Sequence, residues 1–176
     1  MLVINDFGHE FLSRKIIRLL SSKARYIALN VQANSANFGF NIITKYPRAD
    51  YVCIDEQELR LATHDRHSNL ATLVKKVSRR LGCRDMIVTR GPHGAMYYAK
   101  TRGFIEVPAL TKSFIDRVGA GDALFAITAP CMYVKMDPEL VSFIGNVAGA
   151  LQVQTVGNSE PIDYRELTTY ITRLLK

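Results

Sequence analysis

The sequence predicts an α/β fold, a three-layer α/β/α sandwich on a mainly parallel sheet. Short apolar runs recur at 2–5, 25–31, 51–54 and 86–89, each the length of a buried strand. Segments of helical periodicity separate them, so strand and helix alternate as a parallel sheet requires. The last third is almost entirely helical in pattern.

Residues 2–5 form the first expected strand and 9–22 the first helix, with Phe11, Leu12, Ile16, Leu19 and Leu20 as its apolar stripe. A second strand spans 25–31, and 32–41 is polar and rich in Asn, Ala and Ser. Strand 51–54 leads into a short helix, 56–62. Ser68 is the expected N-cap of the next helix, and Gly82 suits its C-terminal end. Strand 86–89 runs into Gly91-Pro92-His93-Gly94, strong turn chemistry, after which 95–99 and 103–108 read as a hairpin. Helices are expected at 119–133, 138–154 and 164–175. There is no internal repeat, and 1–176 reads as one domain.

With 48% hydrophobic and 22% charged residues, the 176-residue chain can bury a core. Its longest apolar runs fall short of the roughly 18 to 20 residues a membrane span needs. No secretory leader begins the sequence, so the cytoplasm is the expected compartment. Cys53, Cys83 and Cys131 are widely spaced, without a Cys-x-x-Cys pair, and are expected to be reduced. His64 and His67 flank Asp65 in a polar stretch, but without a nearby thiolate a solvated loop is the plainer account.

The formal charge of +7 raises nucleic-acid binding. Lys75, Lys76, Arg79 and Arg80 alternate with Leu73, Val74, Val77 and Leu81, placing the charges on the wet side of an amphipathic helix. No aromatic platform accompanies them. Neither nucleic acid nor membrane is an expected partner; an anionic small molecule accounts for the charge equally well.

The segment richest in chemistry is Asp116-Arg117-Val118-Gly119-Ala120-Gly121-Asp122, followed by an apolar run. Small residues at 119–121 let backbone approach a ligand, and a helix starting there points its unpaired N–H groups into the loop. Two accounts of Asp122 remain open: it caps the helix, or it takes a proton from a hydroxyl attacking phosphorus while the amides stabilise the transferring charge.

This segment resembles the Asp-Thr-x-Gly-Ala-Gly-Asp signature of the ribokinase-like (phosphofructokinase-B) carbohydrate kinases, agreeing in type at six of the seven positions. The resemblance implies ATP-dependent phosphorylation of a sugar hydroxyl, with Asp122 as base and the amides of Gly119, Ala120 and Gly121 as anion hole. Val88-Thr89-Arg90-Gly91-Pro92-His93-Gly94 resembles the family's Thr-x-Gly-x-x-Gly turn beside the nucleotide phosphates. Thr89, Gly91 and Gly94 are therefore expected at ATP. Asn146 and Asn158 fall where the family borders the adenine. Asp55-Glu56-Gln57-Glu58 resembles the Asn-x-x-Glu motif, which implies Mg²⁺ held through water by Glu58 and Asp55. The family also implies a monovalent cation, K⁺, near Asp116 and Val118.

Three departures stand out. Asp55 replaces the usual asparagine and adds negative charge near the metal. Arg117 stands where threonine is commonest, similar to the 2-keto-3-deoxygluconate kinases, and its planar fork suits a carboxylate or phosphate. Ile127 replaces a usual glycine, implying altered helix packing. Asn5-Asp6-Phe7-Gly8-His9 resembles the Asp-Tyr-Gly stretch of heptose-7-phosphate kinases, which places Asp6 with Arg117 at an anionic sugar. The family's Gly-Gly sugar motif and lid strands have no counterpart, so the expectation is a C-terminal part of a longer polypeptide with its N-terminal half and lid missing. A homodimer of that longer protein stays open.

Two competing readings fit parts of the pattern. A dinucleotide-dependent oxidoreductase shares the α/β pattern, but its glycine fingerprint should follow the first strand, and here the glycine cluster comes late. A truncated module that binds nucleotide without turnover also remains.

Overall fold

Four expected strands lie side by side and parallel: β1 (Leu2–Asp6), β2 (Ile27–Val31), β3 (Tyr51–Asp55) and β4 (Asp85–Thr89). With β5 (Ala95–Ala99) and β6 (Gly103–Val107) they form a six-stranded sheet in sequential order. Lys100 N donates to Arg84 O at 2.8 Å and Arg90 N to Gly94 O at 2.8 Å, the pattern of an antiparallel β4–β5 pair. The sheet is therefore mixed but mostly parallel. The computed structural model describes residues 1–111, 115–116, 118–156 and 161–176. They divide into two compact units, the first comprising Met1–Thr89 and Met96–Ile105, the second Arg90–Ala95 and Glu106–Lys176.

In the first unit, alternation sorts the strand residues. Ile27, Leu29 and Val31 join Val52, Ile54, Met86 and Val88 in one core. Helices α1 (Arg14–Lys23), α2 (Glu56–Thr63) and α3 (Leu70–Leu81) bury Ile17, Leu59, Leu73, Val74, Val77 and Leu81 in that same core. The opposite alternation, Ala28, Asn30, Tyr51, Cys53 and Ile87, is buried as well. Two buried faces explain why these strands read as near-continuous apolar runs.

Helix α1 departs from expectation. It begins at Arg14, with Ser13 accepting from Ile16 N, because Gly8 (φ 73°) and Glu10 (φ 62°) are left-handed and interrupt any earlier turn. Its buried anchor is Ile17, at 3% exposure, whereas Phe11 (83%) and Leu19 (57%) face outward. The expected stripe is corrected accordingly. The N-cap of α3 is Asn69, whose side chain accepts from Thr72 N at 2.8 Å, while Ser68 N donates to Asp65. Gly82 ends that helix with φ 64°. Lys75, Lys76, Arg79 and Arg80 are exposed, as the amphipathic reading requires.

In the second unit, α4 (Ala120–Tyr133) packs against α5 (Pro138–Gln152), and α6 (Tyr164–Leu174) follows. A Cβ on Gly145 would sit 2.5 Å from Thr128 Cγ2, so the closeness of α4 and α5 depends on glycine there. None of the three cysteines forms a disulfide, and no group of three metal-ligating side chains occurs among the described residues. No described helix is long and apolar enough to cross a membrane.

Candidate active site

The first unit presents its chemistry at the carboxyl ends of the parallel strands, where open α/β sheets bind ligands. Asp55 ends β3 and pairs in register with Thr89, which ends β4. Asp55 is also the N-cap of α2. Its Oδ1 accepts from Gln57 N at 2.7 Å, and Glu58 Oε2 accepts from Asp55 N at 3.2 Å, a reciprocal capping box. Glu58 Oε1 reaches outside the helix to accept from Ala33 N at 2.9 Å. One carboxylate thus joins the end of β3 to the segment that follows β2. Burial pushes the Asp55 carboxyl above its ordinary range, against the lowering effect of the helix amides it caps. The two carboxylates supply hard oxygen donors, which fit the chemistry of Mg²⁺ held partly through water.

Asp6, at the end of β1, is 5% exposed. Tyr46 donates its hydroxyl to Oδ2 at 2.6 Å, Lys45 Nζ lies 2.7 Å from the same oxygen, and Gly8 N donates to Oδ1 at 2.9 Å. Burial alone would raise its pKa; Lys45, Tyr46 and the Gly8 amide outweigh that and hold it below the usual carboxylate range. The carboxylate therefore already serves three internal donors.

The asparagines of 32–41 have a structural task that sequence reasoning missed. Asn34 and Asn37 each donate Nδ2 to Phe7 O at 3.0 Å, and Asn41 Nδ2 donates to Asp6 O and Gln32 O. They bind the segments after β1 and β2 to each other. Gly8 makes this possible: it is left-handed, and a Cβ there would lie 2.2 Å from Asn37 Nδ2. Also missed was Asn30, 4% exposed, whose Oδ1 has no hydrogen-bond partner among the described residues. Leaving such an oxygen unmet costs on the order of 1–3 kcal/mol. Its signal was a lone amide in the apolar run Ile-Ala-Leu-Asn-Val.

The second unit carries the glycine loop. Gly119 is left-handed at φ 84°, and α4 begins at Ala120, with Ala123 N donating to Gly119 O at 2.8 Å. The amides of Ala120, Gly121 and Asp122 precede that first helical bond. Asp122 lies in the first turn, its carboxylate at the positive end of the helix. Asp116 Oδ1 accepts from Val118 N at 3.0 Å, and the amides of Ile115 and Asp116 donate to Val153 O, anchoring the loop to the end of α5. Gly91 (φ 54°) and Gly94 (φ 77°) frame the turn between β4 and β5. Gly94 and Asn146 meet at one segment: a Cβ on Gly94 would be 2.0 Å from Val107 O, and Asn146 Nδ2 donates to Pro108 O at 2.5 Å. Arg117 and Asn158 lie outside the described residues.

Solved structures share this fold. The model of the pfkB family carbohydrate kinases matches residues 28–165. The bifunctional protein HldE of Koribacter versatilis is 27% identical over 174 residues, covering 97% of this chain and 35% of that protein. Among solved structures, phosphofructokinase-2 from Escherichia coli in complex with potassium superposes with a TM-score of 0.80 at 15% identity, covering 99% of this chain and 57% of the other. Arabidopsis thaliana ribokinase complexed with ribose and ATP gives 0.75 at 18% identity, covering 96% and 55%. The chain therefore spans about a third of the HldE relative and little more than half of the two solved kinases. On the strength of the family match, the chain belongs to the pfkB family of carbohydrate kinases.

Proposed function

We propose that this chain transfers the γ-phosphoryl group of ATP to a sugar hydroxyl, with Asp122 as general base and the amides of Gly119, Ala120 and Gly121 as anion hole. The observation that carries this reading is the left-handed Gly119 turn into α4, which places Asp122 among amides that have no helical acceptor. An aspartate there can take the proton of the attacking hydroxyl while the neighbouring N–H groups meet the charge that develops on the transferring group. Thr89, Gly91, Gly94, Asn146 and Asn158 are the proposed nucleotide contacts. Asp55 and Glu58 would hold Mg²⁺ through water, and Asp116 with Val118 would hold K⁺. Bound Mg²⁺ supplies charge neutralisation at the β- and γ-phosphates.

The proposed acceptor is anionic, a phosphorylated heptose first and a sugar acid such as 2-keto-3-deoxygluconate second, with Arg117 and Asp6 at its site. Arg117→Thr should then raise KM for an anionic acceptor by about tenfold or more, the scale of losing a hydrogen bond to a charged group. A rise confined to KM for ATP would move Arg117 to the nucleotide.

A second reading, a nucleotide-binding module without turnover, draws on the fraction of its relatives that this chain spans. Acceptor-dependent ADP formation from ATP and Mg²⁺, tried with a phosphosugar, a sugar acid and ribose, separates the two. Calorimetric ATP binding without product from any acceptor would favour the module.

A further inference from the structure

An open cleft of about 250 Å³ in the first unit is lined by Arg14, Ile17, Arg18 and Lys45. Three of its four lining residues are cations, and the fourth is the buried Ile17 that fixes α1 to the core. Lys45 is held in place rather than waving in solvent: its Nζ contacts Asp6 Oδ2 at 2.7 Å and Asn41 Oδ1 at 2.5 Å. Arg14 and Arg18 have no carboxylate partner among the described residues. With Asp6 answering Lys45, the cleft keeps the two guanidinium charges uncompensated.

The helix itself is worse off for this arrangement. Arg14 and Arg18 are four residues apart on one face, a spacing at which like charges repel. Arg14 and Lys15 occupy the first turn of α1, which contains no acidic residue, so cations sit at the positive end of the helix dipole. An anion in the cleft would relieve both.

We propose that this cleft binds a phosphate monoester or inorganic phosphate. The charge matches: such a group carries roughly −1.5 to −2 at pH 7 against the two uncompensated arginines. The shape matches too, because two planar guanidinium forks one helical turn apart can each engage phosphate oxygens, with the Lys45 ammonium as a fixed third donor. Ile17 closes the floor with apolar surface. Lys45 touches Asp6, which the proposed function places at the acceptor, so the cleft borders that proposed site, but binding here does not require Asp122 or phosphoryl transfer.

The test is isothermal titration calorimetry of the chain at low salt with two probes, inorganic phosphate and fructose 6-phosphate. Arg14→Gln/Arg18→Gln should weaken binding about tenfold or more, as expected from losing hydrogen bonds between charged groups. Lys75→Gln/Arg79→Gln removes the same charge from the exposed face of α3 and should leave the affinity unchanged, since it alters only a screened long-range field. Circular dichroism of both double variants confirms that they fold. Equal affinity for the two probes supports a cleft that reads the phosphoryl group alone; tighter fructose 6-phosphate binding, lost in the arginine variant, supports one that holds an organic phosphate. Undiminished affinity in Arg14→Gln/Arg18→Gln, an equal loss in the α3 variant, or no binding of either probe to the wild-type chain at about 10 mM would overturn the proposal.

Discussion

Tyr46 donates its hydroxyl to Asp6 at 2.6 Å, joining the end of β1 to the segment before β3 across forty residues of sequence. The pair contributes to the pH response of the first unit at both extremes. Asp6 is held below the ordinary carboxylate range, so its contribution is present above the unfolded pKa and is lost as pH falls through the folded one. Tyr46 is raised well above 10.0 by burial first and by Asp6 second, so its contribution is present below the unfolded pKa and is lost as pH rises through the folded one.

Tyr46→Phe should accordingly flatten the alkaline limb of stability and reduce the acid limb, while costing about 1.5 to 3 kcal/mol at neutral pH, the scale of a hydrogen bond to a charged group. Urea denaturation at pH 3, 7 and 10.5 measures all three. A uniform loss at every pH would show that the hydroxyl acts by packing alone.

Glu58 carries a structural role beside the proposed metal role. Glutamine has one acceptor oxygen where Glu58 uses two, so Glu58→Gln should keep either the bond from Ala33 N or that from Asp55 N and lose about 1 to 3 kcal/mol for the other. It loses the charge that Mg²⁺ requires, and the magnesium concentration for half-maximal rate should rise. Glu58→Ala should additionally cost about 0.5 to 2 kcal/mol through the lost cap. Unchanged magnesium dependence in Glu58→Gln would leave Glu58 as a helix cap.

How legible this was from sequence varies with the range of the forces involved. Strands β2 to β4 and helix α3 follow from local periodicity, and Gly82 from the backbone freedom that a helix end needs. The start of α1 was hidden because the apolar residues at 11, 12, 16, 19 and 20 fit a helical face, while Gly8 and Glu10 are left-handed and Gly8 packs against the distant Asn37 and Asn41. The asparagine clamp and the Tyr46–Asp6 bond join residues thirty to forty positions apart. No local pattern encodes such pairs. The capping box at Asp55 and Glu58 was visible as a charged helix start, but the reach of Glu58 to Ala33 was not.

Gly94 carries a stronger steric demand than its neighbour Gly91, although both have positive φ. Gly91→Ala meets nothing within 4 Å and should cost about 1 kcal/mol of backbone strain. Gly94→Ala forces a methyl to within 2.0 Å of Val107 O in a conformation other residues avoid, and should cost upwards of about 3 kcal/mol. Equal midpoints for the two variants in urea would mean that the segment around Val107 and Pro108 yields without cost.

Asp122 is where the kinase reading meets its most direct test. A carboxylate in the first turn of α4 is stabilising on helix-dipole grounds alone, by about 0.3 to 1 kcal/mol, so conservation of fold in a variant says nothing about catalysis. Asp122→Asn separates the two roles. Asparagine fits a helix start and keeps the shape, so stability should fall by no more than that electrostatic contribution. It cannot accept the proton of an attacking hydroxyl, so kcat should drop by about 10² to 10⁴. ATP affinity should hold or rise, because a negative charge beside the amides of Gly119, Ala120 and Gly121 repels the phosphates that those amides attract. Chemical denaturation, calorimetric ATP binding and acceptor-dependent ADP release, measured on the same preparation, read the three quantities independently. A variant that keeps more than half the wild-type turnover would remove Asp122 from proton transfer and leave it as a first-turn carboxylate that favours the helix dipole of α4.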